Sequence, residues 1–469
     1  MTLASLARAV LLSVCMAALA PWSAGAQPPA TARPDEPRPV QETDPADPMT
    51  GARRRYSGLF GGVAVEDAQP NGLRFDGALW AAWDENLLAE FTAPSTTSAL
   101  QVSGAYTNLI GDLRYVRSTG RFQVAATGGA SARYYTGLGE FAANDFHGGA
   151  GTAVRLDRFT TLGLNQTVSY APVYLFGLFA DALPPVLGGV DTPNSAYAVN
   201  DDRAVTSDSR AEIERRFSVK SLLTARAAYR RSHFTVVTPR GTDFASTEAG
   251  GDYRYRLTEN GDLRLGYFYR GASYIGTEQF GVRPQQPAEH NLHVGFAFHP
   301  TLSEERRTIV TFEGGTSFVN SALATNANET RRQVRLVGDA AIAHQMGRTW
   351  LAVGAFKRGT GFVQGLNGPV FTDAVSLTAT GFVNPRTDLH FSVGYSNGEP
   401  TLVGAVQTFS TVTADARVRV ALTPRWALTA QYVFYDYDFS AVLDLAAGLE
   451  PTVKRNTLRV GVNMWWPLR

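Results

Sequence analysis

Hydrophobic and polar residues alternate with a period of two along most of the chain after residue 70. In residues 406–422, for example, Val418 and Val420 fall on one face and Arg417 falls on the other. Successive side chains of a β-strand point to opposite faces, so this alternation is the signature of strands with one apolar face. No segment approaches 18 consecutive apolar residues, the minimum for a membrane-spanning helix. The pattern predicts an all-β protein.

The lengths of the strands and of the links between them narrow the fold class. The alternating segments run about 10 to 16 residues, whereas the strands of a soluble β-sandwich, the main alternative, usually have five or six. Short links such as Ser118–Gly120 and Asn384–Arg386 alternate with longer ones such as Leu175–Thr206, Asn320–Asn328 and Ser440–Val453. Short periplasmic turns and long extracellular loops are typical of outer-membrane barrels, which must be closed because lipid cannot pair an open edge.

We therefore predict a transmembrane antiparallel up-and-down β-barrel of about 18 strands, within a range of roughly 16–18, in the cell outer membrane. An even strand number places both termini on the periplasmic side. Two irregularities stand out. The alternation changes phase near Leu109–Leu113, which predicts a β-bulge. The Pro- and Gly-rich link Leu175–Thr206 is the best candidate for a plug or constriction.

The N-terminal region predicts export. Residues 1–26 have the features of a signal peptide: Arg8, an apolar run from Ala9 to Ala20, and a small-residue cleavage site that ends at Ala26. The single cysteine, Cys15, lies within this segment. Residues 27–55 are rich in Pro and charge, which predicts a disordered periplasmic linker. Residues 56–469 are then the outer-membrane β-barrel.

Composition adds one exclusion. The chain has 469 residues and a formal net charge of +1. A nucleic-acid partner would normally require a strongly basic face, so none is expected.

The stretch from Asp76 to about Phe179 resembles a family of outer-membrane β-barrel porins that is often associated with bacterial exopolysaccharide export. Members commonly open with a strand that ends in a Tyr-Asp-Asp-Asn-like motif. Here Trp83, Asp84, Glu85 and Asn86 stand in its place, with Trp for Tyr and Glu for the second Asp. The resemblance implies an outer-membrane channel, tied to exopolysaccharide export. The position of these residues predicts that they lie at or just beyond the outer rim of the first strand, where a bridging cation could also bind.

No motif for catalysis, metal binding or cofactor binding is present, so we expect no catalytic residues, no metal, no cofactor and no enzyme activity. His290 and His293 are three residues apart, which on a strand places them on opposite faces, where they cannot share a metal ion.

The polar faces of the strands carry rows of charged residues, which a barrel would direct into its lumen. The candidate pore-lining residues are Arg226, Arg230, Arg254, Arg264, Arg270, Arg335, Asp339, Asp415, Arg417 and Arg419. Such rows can select solutes by charge, and the modest excess of arginine would favour anions. The alternative is that opposite charges pair across neighbouring strands and only hold the wall in shape. The sequence favours neither.

The functional hypothesis is a channel or porin that passes polar solutes or saccharide chains through a charged, Arg-rich lumen. One alternative is a structural or surface-binding barrel with a closed lumen, and another is a barrel enzyme that acts on envelope lipid. The expected partners are outer-membrane lipid and lipopolysaccharide, the barrel assembly machinery, and the transported solutes.

Overall fold

The computed structural model describes residues 71–85, 103–135, 141–174, 198–234, 243–275, 286–298, 301–303, 306–323, 326–346, 349–362, 369–400, 408–438 and 452–468. The predicted signal peptide, the predicted linker and the predicted start of the barrel at residue 56 therefore lie outside the described residues. The described part of the chain contains no helix that is long and apolar enough to cross a membrane.

Strands form a single antiparallel sheet in chain order. They are β1 (Gly72–Asp84), β2 (Gly104–Ser118), β3 (Phe122–Tyr135), β4 (Phe141–Arg155), β5 (Thr160–Tyr174), β6 (Ala198–Arg216), β7 (Ser221–Phe234), β8 (Asp243–Thr258), β9 (Gly261–Ile275), β10 (Ala288–Phe298), β11 (Thr301–Ser303), β12 (Arg306–Leu323), β13 (Asn326–Met346), β14 (Trp350–Phe362), β15 (Pro369–Asn384), β16 (Thr387–Pro400), β17 (Phe409–Ala421), β18 (Trp426–Asp438) and β19 (Thr452–Leu468). The three-residue β11 pairs only with β12, beside the link from β10.

The sheet closes on itself because β1 pairs with β2 on one side and with the last strand, β19, on the other. Apart from the short β11, the wall consists of 18 strands. The predicted fold class and strand number are confirmed. Closure leaves no free sheet edge between the first and last strands, which is a requirement for a barrel in lipid.

Large apolar side chains project outward along the strands, as the alternation predicts. On β9 the side chains of Leu265 and Tyr267 are exposed, and their cross-strand partners on β10, Val294 and Leu292, are exposed too. The same outward rows occur on the other wall strands described. A closed barrel wrapped in exposed Leu, Val, Phe and Tyr can be solvated by hydrocarbon but not by water. The chain is an outer-membrane barrel.

The links sort to the two ends of the barrel. Tight turns join β2 to β3, β4 to β5, β6 to β7, β8 to β9, β15 to β16 and β17 to β18 at one end, called here the turn end. The opposite end is called the loop end, and most residues of its links lie outside the described residues. We interpret the turn end as periplasmic.

Three details of the prediction are wrong. Asn320–Asn328 is not a long loop, because β12 runs to Leu323 and β13 starts at Asn326. Leu175–Thr206 is shorter than predicted, because β6 starts at Ala198; whether residues 175–197 form a plug lies outside the described residues. The bulge near Leu109–Leu113 is absent, because β2 pairs with β1 without a register shift.

Candidate functional site

The candidate site is the inner face of the wall. On each strand the exposed large apolar side chains mark the outward face. The residues that alternate with them therefore point inward. On β9, exposed Leu265 and Tyr267 place Arg264 and Arg270 on the inner face. All ten candidate residues lie in the inward phase: Arg226, Arg230, Arg254, Arg264, Arg270, Arg335, Asp339, Asp415, Arg417 and Arg419. That they line an open pore stays a prediction.

A network of ion pairs crosses the inner face from β7 to β10. Arg226 Nε lies 3.2 Å from one carboxylate oxygen of Glu248, and Arg270 Nε lies 3.1 Å from the other. Arg270 Nη1 also lies 3.6 Å from the buried carboxylate of Glu289. One acid therefore holds two arginines, and one arginine holds two acids. In this part of the wall the charges pair across neighbouring strands, in agreement with the alternative that opposite charges hold the wall in shape.

An Asp-Gly-His arrangement on three adjacent strands continues this network. Asp252 on β8, Gly266 on β9 and His293 on β10 are direct cross-strand partners. His293 Nε2 and Asp252 Oδ1 are 2.8 Å apart. They meet because Gly266 has no side chain: a Cβ there would collide with both. On the opposite face of β10, His290 Nδ1 lies 2.8 Å from the hydroxyl of Tyr267, so the prediction that the two histidines face apart is confirmed.

The same arrangement occurs a second time, on β2, β3 and β4. Asp112, Gly129 and His147 are direct cross-strand partners, and His147 Nε2 lies 2.8 Å from Asp112 Oδ1. A Cβ on Gly129 would collide with Asp112 and would lie 2.6 Å from His147 Cε1. In both places a glycine lets two side chains meet across the strand between them. Neither contact could be predicted from the local sequence, because it depends on the register of three strands.

Arginines face each other across strands near the turn end. Arg74 on β1 is the direct partner of Arg114 on β2, and Arg254 on β8 is the direct partner of Arg264 on β9. Like charges directly opposite each other destabilise a sheet. A pair that is kept despite this cost is a candidate for function. The sequence analysis missed Arg74 and Arg114, although both are in the inward phase of their strands.

A third arginine pair lies on β17, where Arg417 and Arg419 both point inward. Arg419 forms a close ion pair with Asp388 of β16, whereas Arg417 lies opposite His390. Within the described residues, neither Arg417 nor Arg254 has a carboxylate within ion-pair distance. All six arginines lie within four residues of the turn end of their strands, and we call them the arginine ring: Arg74, Arg114, Arg254, Arg264, Arg417 and Arg419.

Acidic side chains neutralise part of the positive charge of the arginine ring. Arg74 Nε lies 3.0 Å from Asp76 Oδ2, and Arg264 Nη1 lies 2.9 Å from Glu313 Oε1. With the Arg419 ion pair, each arginine pair thus has one member held by an acid. Arg254 and Arg417 have no carboxylate within ion-pair distance in the described residues, although Asp262 and Glu214 act on Arg254, and Asp388 and Asp415 on Arg417, over longer distances. Inward arginines still outnumber inward acids at the turn end of the described strands.

The other candidate residues are placed as follows. Asp415 accepts a hydrogen bond from the Gln431 side chain and lies 3.7 Å from His390 Nε2. Arg335 Nη2 lies 2.5 Å from Glu399 Oε1. Asp339 has no ion-pair partner in the described part of the chain.

The Trp-Asp-Glu-Asn motif ends β1 at the loop end, as predicted, but its side chains point to different faces of the wall. Trp83 points outward and is half exposed, whereas Asp84 points inward and is fully buried. The Asp84 carboxylate forms an ion pair with the fully buried Arg455 and accepts a hydrogen bond of 3.0 Å from Thr457 Oγ1, both on β19. Glu85 donates its backbone NH to Asn456 O at 3.0 Å. Asn86 lies outside the described residues.

Asp84 therefore joins the first strand to the last, and Arg455 already neutralises the carboxylate that a cation would need. Asp84 lies at the loop end of β1, where the prediction placed it, and its phase on the strand directs it inward.

Inner-face aromatics near the loop end are buried. Tyr106 of β2 and Tyr135 of β3 lie with ring centroids 5.3 Å apart, and both are almost inaccessible to solvent. The Tyr106 hydroxyl accepts a hydrogen bond of 3.2 Å from Arg459 Nε. Tyr274 on β9 and Tyr437 on β18 are equally buried. Solvent reaches few of the inner-face side chains at this level.

Comparison with known proteins found no matching family model and no matching curated protein. Among solved structures, the chain is similar to Pseudomonas aeruginosa OpdQ, with 9% identity and a TM-score of 0.43, over 85% of this chain and 98% of that one. It is similar to Acinetobacter baumannii OccAB4, with 10% identity and a TM-score of 0.40, over 85% and 99% of the two chains. A structure described as a bacterial polysaccharide outer membrane secretin has 10% identity and a TM-score of 0.35, over 86% and 100%. Likenesses at this level assign no function to the chain.

Proposed function

We propose that the barrel is an outer-membrane channel for polar anionic solutes, including acidic saccharide chains. The arginine ring carries this proposal. Two of its pairs place like charges directly opposite each other, and no described carboxylate lies within ion-pair distance of Arg254 or Arg417. A ring of cationic side chains at one mouth of a water-filled barrel raises the local concentration of anions and lowers their entry barrier.

The ion pairs deeper in the lumen define the limits of the proposal. Between β7 and β10 arginines and acids pair with each other, so this part of the wall contributes little net field. Charge selection is therefore assigned to the arginine ring alone. The family resemblance of the Trp-Asp-Glu-Asn stretch supports saccharide chains as the solute class and exopolysaccharide export as the context. Both belong to the proposal, as does the absence of an enzymatic role.

A closed structural barrel is the second candidate. The observation that favours it is the burial of Tyr106, Tyr135, Tyr274 and Tyr437 on the inner face at the loop end. A lumen packed at that level would pass no solute along the barrel axis.

Single-channel recording in planar bilayers tests both candidates. The channel proposal expects conductance and a reversal potential, in a KCl gradient, of the sign that shows anion preference. Replacing Arg254→Gln and Arg417→Gln together removes two charges without breaking an ion pair between described residues, so anion preference should fall while conductance persists.

Arg231→Gln is the matched control, because Arg231 is exposed, lies in the outward phase of β7 and has no described carboxylate within ion-pair distance. Its removal should leave the reversal potential unchanged. Cation preference of the unmodified protein would contradict the assignment to anions. Absence of conductance would contradict the channel and favour the closed barrel.

A further inference from the structure

Exposed basic side chains collect on one side of the barrel at the turn end. Residues 117–122, 155–160 and 214–221, which form the turns β2–β3, β4–β5 and β6–β7, carry seven exposed basic residues and two acids. We call the seven basic side chains the basic arc: Arg117, Arg121, Arg155, Arg158, Arg215, Arg216 and Lys220. Each of the other tight turns described carries one exposed basic side chain, namely Arg256, Arg386 or Arg425.

The three turns of the basic arc lie side by side. The backbone NH of Arg155 donates to Arg121 O at 2.8 Å, and the backbone NH of Arg216 donates to Phe159 O at 2.9 Å. The arc follows six neighbouring strands, β2 to β7. At about 4.8 Å per strand, it covers about 24 Å of the rim. The basic side chains therefore form one continuous surface.

Acidic side chains offset little of this charge. Within the described residues, no carboxylate lies within ion-pair distance of a member of the basic arc. Glu214 lies in the inward phase of β6 and acts on Arg254 in the lumen. The Asp157 carboxylate holds its own turn, because it accepts the Phe159 NH at 2.6 Å and the Thr160 Oγ1–H at 3.1 Å. The outer surface of the arc is therefore strongly positive.

Two members of the basic arc stand on the lipid-facing side of the wall. Arg215 is the direct cross-strand partner of outward Leu223 and follows outward Ile213 on β6. Arg117 follows outward Tyr115 on β2. Each comes directly after the last outward apolar residue of its strand, so both lie where the apolar band ends. Long basic side chains at this level reach the head groups of the leaflet.

Exposed apolar side chains are interleaved with these charges. They are Phe122, Leu156, Phe159, Phe217 and Val219. The guanidinium carbon of Arg158 lies 4.5 Å from the centre of the Phe159 ring, and that of Arg215 lies 5.8 Å from the centre of the Phe217 ring. A soluble anion gains nothing from such apolar surface. The interface of a bilayer offers phosphate and hydrocarbon at adjacent levels, which matches both kinds of side chain.

We propose that the basic arc binds anionic phospholipids of the periplasmic leaflet, of the phosphatidylglycerol class. The lipid phosphate accepts paired N–H donors from Arg158 and Arg215, the geometry in which a guanidinium binds phosphate. The Phe159 and Phe217 rings contact the glycerol backbone and the first carbons of the acyl chains. A zwitterionic head group also carries phosphate, but its own cation cancels the attraction to the arc, so the arc selects lipids by net charge.

Lipid titration of the detergent-purified protein tests this proposal. Native mass spectrometry measures the dissociation constants of phosphatidylglycerol and of phosphatidylcholine. The unmodified protein should bind phosphatidylglycerol about tenfold more tightly, because only this lipid keeps a net negative charge. The readout is binding and does not depend on conductance, so the lipid site and the channel function can fail separately.

Two double variants locate the site. Arg158→Gln combined with Arg215→Gln removes two charges from the basic arc and should bring the affinity for phosphatidylglycerol close to that for phosphatidylcholine. Arg231→Gln combined with Arg386→Gln is the matched control, because it removes two exposed arginines outside the arc, near the loop end of β7 and in the β15–β16 turn. Its lipid affinities should be unchanged. Folding of each variant is checked by the shift in electrophoretic migration between unheated and heated samples.

The apolar part of the site is tested separately. Phe217→Ala should weaken phosphatidylglycerol binding several-fold, whereas Phe298→Ala, which removes an exposed ring at the turn end of β10, should not. Glycerol phosphate, which is the head group without acyl chains, should not displace phosphatidylglycerol at equal concentration.

Several outcomes overturn the lipid site. Equal affinities of the unmodified protein for the two lipids contradict it, as does an equal loss of phosphatidylglycerol binding in the two double variants. Displacement by glycerol phosphate at equal concentration would assign the basic arc to soluble anions. Binding of polyglutamate in place of phosphatidylglycerol would assign it to an acidic protein segment. Either result would overturn the assignment to lipid.

Discussion

The ion pair that closes the barrel can be broken by one substitution. Asp84 on β1 and Arg455 on β19 are both fully buried, and the carboxylate also accepts a hydrogen bond from Thr457 Oγ1 at 3.0 Å. Asp84→Ala leaves the Arg455 guanidinium buried without this carboxylate. Removing one partner of a buried ion pair typically costs about 3–5 kcal/mol, because the remaining charge is not compensated. We expect a loss of that size in the free energy of unfolding.

The loss should depend on the orphaned charge, which a second substitution tests. Replacing both partners by apolar residues is often close to neutral. Asp84→Ala combined with Arg455→Met should therefore recover most of the stability that Asp84→Ala loses. The assay is urea unfolding in phospholipid vesicles, followed by tryptophan fluorescence, with a double-mutant cycle over the four proteins.

The ion pair Arg74–Asp76 provides the control, because it lies on the inner face and its side chains are 28% and 35% exposed. Asp76→Ala should cost no more than about 1 kcal/mol, since ion pairs that water reaches contribute little. The reasoning would be refuted if Asp84→Ala cost less than Asp76→Ala. It would also be refuted if the losses of the two single substitutions added in the double variant, since additivity would mean that the two charges do not interact.

Two further predictions concern a glycine and a turn. Gly129→Ala should cost about 1–3 kcal/mol by overpacking, whereas Gly128→Ala, whose Cβ would contact no atom closer than 4.0 Å, should be nearly neutral in the same unfolding assay. The pKa of Asp157 lies below its ordinary value, mainly because the backbone NH of Phe159 donates to its carboxylate. The stabilisation that the ionised carboxylate provides is present above pH 3.8 and is lost as the pH falls. When unfolding is measured at a series of decreasing pH values, the stability advantage over Asp157→Asn should therefore disappear in acid.

Strand number and facing could be predicted because they depend on a local signal. A period of two assigns each side chain to a face without knowledge of its neighbours. His290 and His293 illustrate this, since their spacing alone placed them on opposite faces, and the structure confirms it.

The local signal fails where polar residues interrupt the alternation. Asn200–Arg203 on β6 and Asn320 with Ser321 on β12 are polar in succession, so Ala198 and Leu323 were assigned to loops. On β2, the apolar Ile110 lies on the inner face beside outward Leu109 and mimics a change of phase, although the pairing is continuous. Both errors follow from treating apolarity as the only marker of a face.

Contacts across the lumen could not be predicted because they depend on register. Asp84 and Arg455 are 371 residues apart in the chain. Arg74 and Arg114 each look like an ordinary inward charge until the β1–β2 register places them opposite each other.

The arrangement along the barrel axis connects these features. Excess positive charge lies at the turn end, paired charges cover the middle of the wall, and buried aromatics such as Tyr106 occupy the inner face at the loop end. An anion attracted by the arginine ring would therefore meet its main obstruction near the outer leaflet.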